Sequence, residues 1–277
     1  MYLGIDVGGT KTLLAVLNNH GEITESRKFP TASNYNHFLL EVRHAIAHLN
    51  HTEWQAAGVG IPTSRFSRTT DVAYRFGNLP WKNVHVQHDL EKLLHCPVVL
   101  ENDAKLACLS EAMLLRERYS RVLYVTISTG IGYALTVDGV MDTNIGDGGG
   151  RAILLEHRGK LVPWESFASG KAIVERYGKR AEDIHDEKTW QTIARDLRLG
   201  FLELIAVTQP DVIVVGGSVG TYFDRYKAFL LAYLKEHETP SLQIPPLRKA
   251  KRPEEAVIFG CYDLAKLTYG HHAVTHP

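Results

Sequence analysis

Tyr2-Leu-Gly-Ile-Asp6-Val-Gly8-Gly9-Thr10-Lys11-Thr-Leu-Leu-Ala-Val-Leu17 opens the chain, and Asn18-Asn19-His20-Gly21 follows it. Apolar and β-branched residues flank the glycines on both sides, so the stretch reads as two strands. The Asn/Gly cluster behind them reads as a hairpin turn. The glycines thus lie between strands and do not open a helix. That excludes a dinucleotide fingerprint, whose glycine loop leads into a helix. It also excludes a P-loop, because the four-residue spacing before Gly-Lys-Ser/Thr is missing. Two readings remain. Glycines let a backbone approach a ligand and point successive N–H groups at one spot, which suits phosphate oxygens. An Asp at the strand end, Asp6, suits Mg2+ held through water. An ordinary hairpin turn with a charged flank uses the same residues.

A second copy lies 122 residues on, taking Gly8 and Gly130 as equivalent. Leu123-Tyr-Val-Thr-Ile-Ser128-Thr129-Gly130-Ile131-Gly132-Tyr-Ala-Leu-Thr-Val137 again reads strand, glycine loop, strand, and Asp138-Gly139 is a tight turn. Two matching hairpins predict an internally duplicated, two-lobed α/β protein with a ligand between the lobes. Other segments fit. Asn36 to Leu49 has helical spacing, Ala57 to Ile61 reads as a strand stopped by Pro62, and Pro97 to Leu100 reads as a buried strand. Helices are predicted from Leu90 to Leu94, Ala104 to Arg116, Trp190 to Thr208 and Asp224 to Glu236, with a buried strand at Asp211 to Val215. Val257 to Gly260 is taken to lead into a last helix, and Pro240 to Pro253 to be a polar, proline-rich connection. Strands alternating with such helices define the α/β class.

Three further stretches carry chemistry-bearing residues. Asn102-Asp103-Ala104 follows a buried strand and starts a helix. Asp there is either a helix N-cap or a general base that accepts the proton of an attacking hydroxyl. Gly216-Gly217-Ser218 ends a strand, and serves either a turn needing positive φ or close approach of an adenosine. Trp164-Glu165 precedes a helix, where Glu165 favours the dipole and Trp164 packs.

Composition removes several function classes. The 31 basic and 31 acidic side chains cancel, so no basic excess marks a nucleic-acid partner. No window approaches the ~18 apolar residues of a membrane span. No basic n-region or cleavage site precedes the first strand, so a signal peptide is not expected and the location expected is cytoplasmic. Cys96, Cys108 and Cys261 are too few and too widely spaced for a disulfide framework or a metal knuckle. His271, His272 and His276 fall in a polar end read as frayed.

In order and spacing these elements resemble the ROK family of sugar kinases, which has the actin-like ATPase (ribonuclease H-like) fold. The likeness runs from Gly4 to Ala265. Asp6-Val-Gly8-Gly9-Thr10-Lys11 is similar to the family's first phosphate loop, and Ser128-Thr129-Gly130-Ile-Gly132 to its second. Glu101-Asn-Asp-Ala104 looks like its catalytic-base motif, Asn78-Leu-Pro-Trp81 like its sugar-side loop, and Gly216-Gly217-Ser218 like its adenosine-side strand end. The resemblance implies ATP with Mg2+ (through Asp6 and water) phosphorylating a hexose hydroxyl. Asp103 would be the base, and Asn78, Asn102 and Glu165 would hold the sugar. It implies a homodimer, with a small lobe at 1–116 completed by a helix at 262–277, and a large lobe at 117–261.

The chain departs from that pattern twice. The family's Gly-Glu-x-Gly-His block corresponds to Gly146-Asp147-Gly148-Gly149-Gly150-Arg151, which puts Arg151 in the His position and raises an acidic sugar as substrate. The Cys-rich zinc motif is replaced by Leu155-Glu156-His157-Arg158-Gly159-Lys160, which holds no cysteine, so no structural zinc is expected. Polyphosphate in place of ATP, and a sugar-binding regulator without turnover, are the alternatives. A DNA-binding regulator would need a helix-turn-helix that is not seen.

Overall fold

The computed structural model describes residues 1–252 and 255–270. By its internal contacts the chain divides into two units. The first takes Met1–Ser110 and resumes at Glu255; the second starts at Glu111 and runs to that return.

The first unit opens with three antiparallel strands, β1 (Tyr2–Val7), β2 (Lys11–Leu17) and β3 (Ile23–Pro30). Helix α1 (Tyr35–Ala47) leads to β4 (Ala56–Ile61), which lies parallel to β1. A separate hairpin, β5 (Thr63–Ser67) and β6 (Val72–Phe76), comes next. Helix α2 (Val86–Leu94) then leads to β7 (Val98–Asn102), parallel to β4, and α3 (Asp103–Met113) follows at once. The sheet order is β3-β2-β1-β4-β7. β4 and β7 are buried along their whole length, which is why Ala56–Ile61 and Val98–Leu100 carry no polar side chain, while β7 ends in the buried polar pair Glu101 and Asn102.

The second unit repeats this plan. β8 (Arg121–Ile127), β9 (Ile131–Val137) and β10 (Val140–Met141) are antiparallel. A hairpin of β11 (Leu154–His157) and β12 (Lys160–Pro163) precedes α4 (Glu165–Ala168), α5 (Gly170–Tyr177) and the long α6 (Glu187–Thr208). Then come β13 (Val212–Gly216), α7 (Gly217–Gly220), α8 (Lys227–Lys235) and β14 (Leu247–Lys249). The order β10-β9-β8-β13-β14 has the same strand directions as the first sheet. Two copies of one five-stranded plan make this the duplicated α/β, actin-like ATPase fold expected from the paired hairpins.

Helix α9 (Ala256–Tyr269) closes the first unit. Glycines let it sit at backbone distance from its neighbours. A Cβ on Gly58 of β4 would stand 2.1 Å from the Cys261 carbonyl oxygen, and one on Gly260 would stand 2.0 Å from that of Leu106 in α3. Gly60 is pressed by a methyl of the Val257 side chain, 2.5 Å from where its Cβ would stand. Each unit also has its own apolar core. Leu3, Ile5, Val59, Phe38 and Trp81 belong to the first, and Val125, Trp164, Phe201 and Tyr226 to the second.

Several boundaries differ from the sequence reading. Val257–Gly260 lies inside α9 rather than leading into it, and residues 255–261 group with the first unit. The unit boundary falls at Ser110/Glu111 rather than after residue 116, and α3 ends at Met113. The expected helix beyond residue 270 lies outside the described residues. The Pro240–Pro253 connection carries β14, whose Leu-Arg-Lys sequence is too short and charged to show a strand pattern. It pairs with Ile213–Val215 as the edge of the sheet. Among the described residues no helix is long and apolar enough to cross a membrane.

Gly58→Ala is expected to lower the unfolding free energy by about 3 kcal/mol, because the new methyl meets rigid backbone. Urea denaturation of the variant beside the parent measures this.

Candidate functional site

Each unit gathers one group of the residues singled out above. In the first, β1, β4 and β7 run parallel and end together. Asp6 pairs with Gly60, and Ile61 with Asn102, so Asp6 and the Asn102-Asp103 turn come to the same end of the sheet. Carboxyl ends of parallel strands are where α/β sheets bind ligands. Asp6 is half-buried, and its carboxyl is pushed up to about 7. Burial is the main cause and the charge of Asp103 the next, with Lys28 opposing.

Asn102, not Asp103, caps α3. Its Oδ1 accepts from the N–H groups of Ala104 at 2.9 Å and Lys105 at 3.3 Å, while its Nδ2 donates to the Thr63 carbonyl at 2.9 Å. Asp103 is half-buried, and its Oδ1 accepts from the Ala104 N–H at 2.8 Å.

The loop from Gly8 to Lys11 is tied by Gly8 N–H to the Lys11 carbonyl at 3.0 Å, and the Thr31 hydroxyl donates to the Gly8 carbonyl at 2.8 Å. A Cβ on Gly8 would lie 2.7 Å from the Lys11 oxygen, and one on Gly9 would lie 2.9 Å from Asn78 Cβ. The loop therefore packs directly on Asn78. Asn78 is exposed, in a segment anchored by buried Leu79 and Trp81, whose indole donates to the Ser33 carbonyl at 3.0 Å. Thr10 and Lys11 are exposed at the loop end.

In the second unit the turn from Ser128 to Gly132 meets three other segments. The Ser128 carbonyl accepts from Gly170 N–H at 2.7 Å, and its hydroxyl oxygen accepts from Ser218 N–H at 3.1 Å. Gly217, with φ of +82°, leaves no room for a Cβ against Ile127, Ser128 and Thr126, and Gly216 rests on the Tyr124 hydroxyl. Thr129, Gly130 and Gly132 are thus brought beside Gly216 and Gly217. Glu165 lies against the same turn: its Oε2 accepts from the Ile131 N–H at 3.4 Å, and a Cβ on Gly130 would meet that oxygen at 2.8 Å. Arg151 Nε donates to Glu165 Oε1 at 2.6 Å. Gly149 and Gly150 are pressed onto Ile131, which brings Arg151 to this place. Trp164, fully buried, seats its ring on Gly200 of α6, where a Cβ would be 2.2 Å away, and so fixes the residue before Glu165.

Sequence reasoning missed Thr31, Thr63, Lys28 and Gly170. None stands in a recognisable motif; each is brought in by strand pairing or by a loop. Among the described residues no group of three or more His, Cys, Asp and Glu is placed to hold a metal ion. The Asp6–Asp103 pair instead suits Mg2+, which is usually held by one or two carboxylates, waters and substrate phosphates. A cation there would relieve the repulsion that Asp103 exerts on the buried Asp6 carboxyl.

Comparison with known proteins now decides the family. The ROK family model matches residues 2–268. The chain belongs to the ROK family. This ROK chain is 27% identical over 297 residues to N-acetyl-D-glucosamine kinase of Haemophilus influenzae, covering 94% of this chain and 97% of that one. It is 28% identical to N-acetylmannosamine kinase of Escherichia coli, covering 84% of this chain and 88% of that one. A ROK family glucokinase from Streptomyces griseus, solved with glucose and AMPPNP, superposes with a TM-score of 0.80 at 20% identity, covering 96% and 99% of the two chains.

The raised Asp6 carboxyl sets a stability trend. Between its ordinary value of 3.8 and about 7 the folded chain holds a proton that the unfolded chain has lost. Stability is therefore expected to fall as pH rises through that window. Asp6→Asn is expected to flatten this trend and to raise the melting temperature at pH 8 relative to the parent, as read by calorimetry without added Mg2+.

Proposed function

We propose that this ROK chain is a kinase that transfers the γ-phosphoryl group of ATP to a hydroxyl of a neutral hexose or N-acetylhexosamine, with Asp103 as general base. The observation that carries the reading is the convergence of Asp103 and Asp6 at the carboxyl ends of three parallel strands, on a turn that Asn102 locks at the head of α3.

Asp103 takes the proton of the attacking sugar hydroxyl. The sugar oxygen then bonds to the γ-phosphorus, and the bond to the β–γ bridging oxygen breaks. Backbone N–H groups of Gly8 to Lys11 and of Thr129 to Gly132 bind phosphate oxygens, and Lys11 adds a charge. Asp6 would hold Mg2+ through water, and the ion would supply charge neutralisation on the phosphates. Gly216 and Gly217 admit the adenosine to the backbone. Asn78 and Glu165 hold sugar hydroxyls. Asn102 serves mainly as the cap that aims Asp103, since its oxygen accepts from the α3 amides and one N–H of its amide goes to Thr63.

Arg151 supports a neutral substrate. Its charge is balanced by Glu165 at 2.6 Å, which removes the electrostatic ground for an acidic sugar. Arg151 orients the Glu165 carboxylate and sharpens its acceptor direction. The names of the relatives, kinases for N-acetylglucosamine and N-acetylmannosamine, agree with a neutral sugar.

A coupled ADP-release assay over hexoses, N-acetylhexosamines and sugar acids tests the reading. Turnover with Mg-ATP on a neutral sugar is expected, and Asp103→Asn is expected to cut kcat by about 10^2- to 10^4-fold while sugar binding by calorimetry persists. Turnover with polyphosphate alone, or sugar binding without any turnover, would overturn it. Arg151→Ala is expected to raise the KM for the sugar by about tenfold, the scale of one charge-assisted contact, without changing the rank of acidic against neutral sugars.

A further inference from the structure

Arg68 lies immediately after β5, on the turn of the β5–β6 hairpin, well away in sequence from every motif discussed so far. Its guanidinium grips Glu101 with two bonds, Nε to Oε2 at 2.7 Å and Nη2 to Oε1 at 2.5 Å. The Phe66 ring lies under it, 5.5 Å from the guanidinium carbon. Glu101 is only 3% exposed. The same Oε1 accepts from the Asn102 N–H at 2.7 Å. Asn102 in turn caps α3 through Oδ1 and holds the Thr63 carbonyl, at the first residue of β5, through Nδ2. The hairpin is therefore fastened to the Asp103 turn at its root, by Thr63, and at its tip, by Arg68.

A carboxylate this deeply buried is costly unless it is paired, and an apolar side chain in its place would serve stability as well. Two fixed N–H donors on a planar fork define a direction that an apolar contact does not. The direction matters because Glu101 sits two residues before Asp103 and bonds the intervening backbone N–H.

We propose that Arg68 is a positioning residue: through Glu101 it fixes the Asn102-Asp103 turn and thereby the aim of the Asp103 carboxylate. The kinetic consequence rests on the kinase reading; the structural one does not. Arg68 touches neither sugar nor phosphate in this scheme. It acts through Glu101 and Asn102.

The test uses the full chain with Arg68→Ala, Arg68→Lys, Glu101→Gln and the double variant Arg68→Ala/Glu101→Gln. Two readouts are taken on folded protein. The first is hydrogen exchange without substrate, at the amides of Asn102, Ala104 and Lys105. Arg68→Ala is expected to speed exchange there by tenfold or more and to leave the amides of β8 and β9 unchanged. The second is kcat and KM on whichever sugar the parent phosphorylates. Arg68→Ala is expected to lower kcat by about 10- to 100-fold, the scale of a misplaced reacting group, with the KM for ATP within about threefold. Arg68→Lys keeps the charge but not the fork, so it should recover only part of the loss. The double variant should fall no further than the worse single one, because the two residues act as one unit.

A lower melting temperature with unchanged exchange at these amides overturns the proposal. So does a loss in the double variant equal to the product of the single losses. If the parent turns over no sugar, the kinase reading fails, and the exchange measurement alone decides the role of Arg68.

Discussion

The first unit depends on one close approach: α9 lies against β4 and α3 at backbone distance. Gly58, Gly60 and Gly260 make that possible, because any side chain at Gly58 or Gly260 would meet a carbonyl group. Cys261, buried in the same contact, has its thiol pushed well up by burial first and by the Asp6 charge next, so it is a packing residue rather than a nucleophile. With α9 seated, β1, β4 and β7 are covered on that face, and their carboxyl ends are held level. Asp6 and Asp103 come from those ends. The site is thus placed by packing that no site residue takes part in.

The second constraint is electrostatic. The protein brings two carboxyl groups together in partial burial and lets one of them be held up to about 7. This costs folded-state stability at neutral pH, and strongly shifted carboxyls of this kind are more frequent at functional sites than elsewhere. Around it the polar atoms are strictly partnered: Glu101 with Arg68, Asn102 with Thr63 and the α3 amides, and Gly8 with Thr31. In the second unit the equivalent order comes from Trp164 on Gly200 and from Arg151 on Glu165. These supports are a buried ring and an ion pair.

Much of this was legible beforehand. The two hairpins with glycines between strands stand in the sequence at matching places, and both sheets repeat the same order around them. Asp103 was legible with two possible roles, and the structure gives the cap to its neighbour Asn102. Other features left no pattern. β14 is three residues with two charges, and its strand character comes from pairing with β13. The β5–β6 and β11–β12 hairpins lie outside the main sheets, so alternation of buried and exposed residues is weak in them. Arg68 was silent because its partner is 33 residues away.

The sequence by itself determined the fold class, the duplication and the short motifs. These are set by local rules: alternation in strands, helical periodicity, and glycines where backbone must turn or be approached. The tertiary structure alone decided which polar groups are spent on one another. Whether Arg151 reaches Glu165, whether Asn102 caps a helix, and whether Asp6 keeps a proton depend on distances of a few ångströms between residues far apart in the chain. Burial and Coulomb interaction act over those distances, and they are fixed only when the sheets and their covering helices pack.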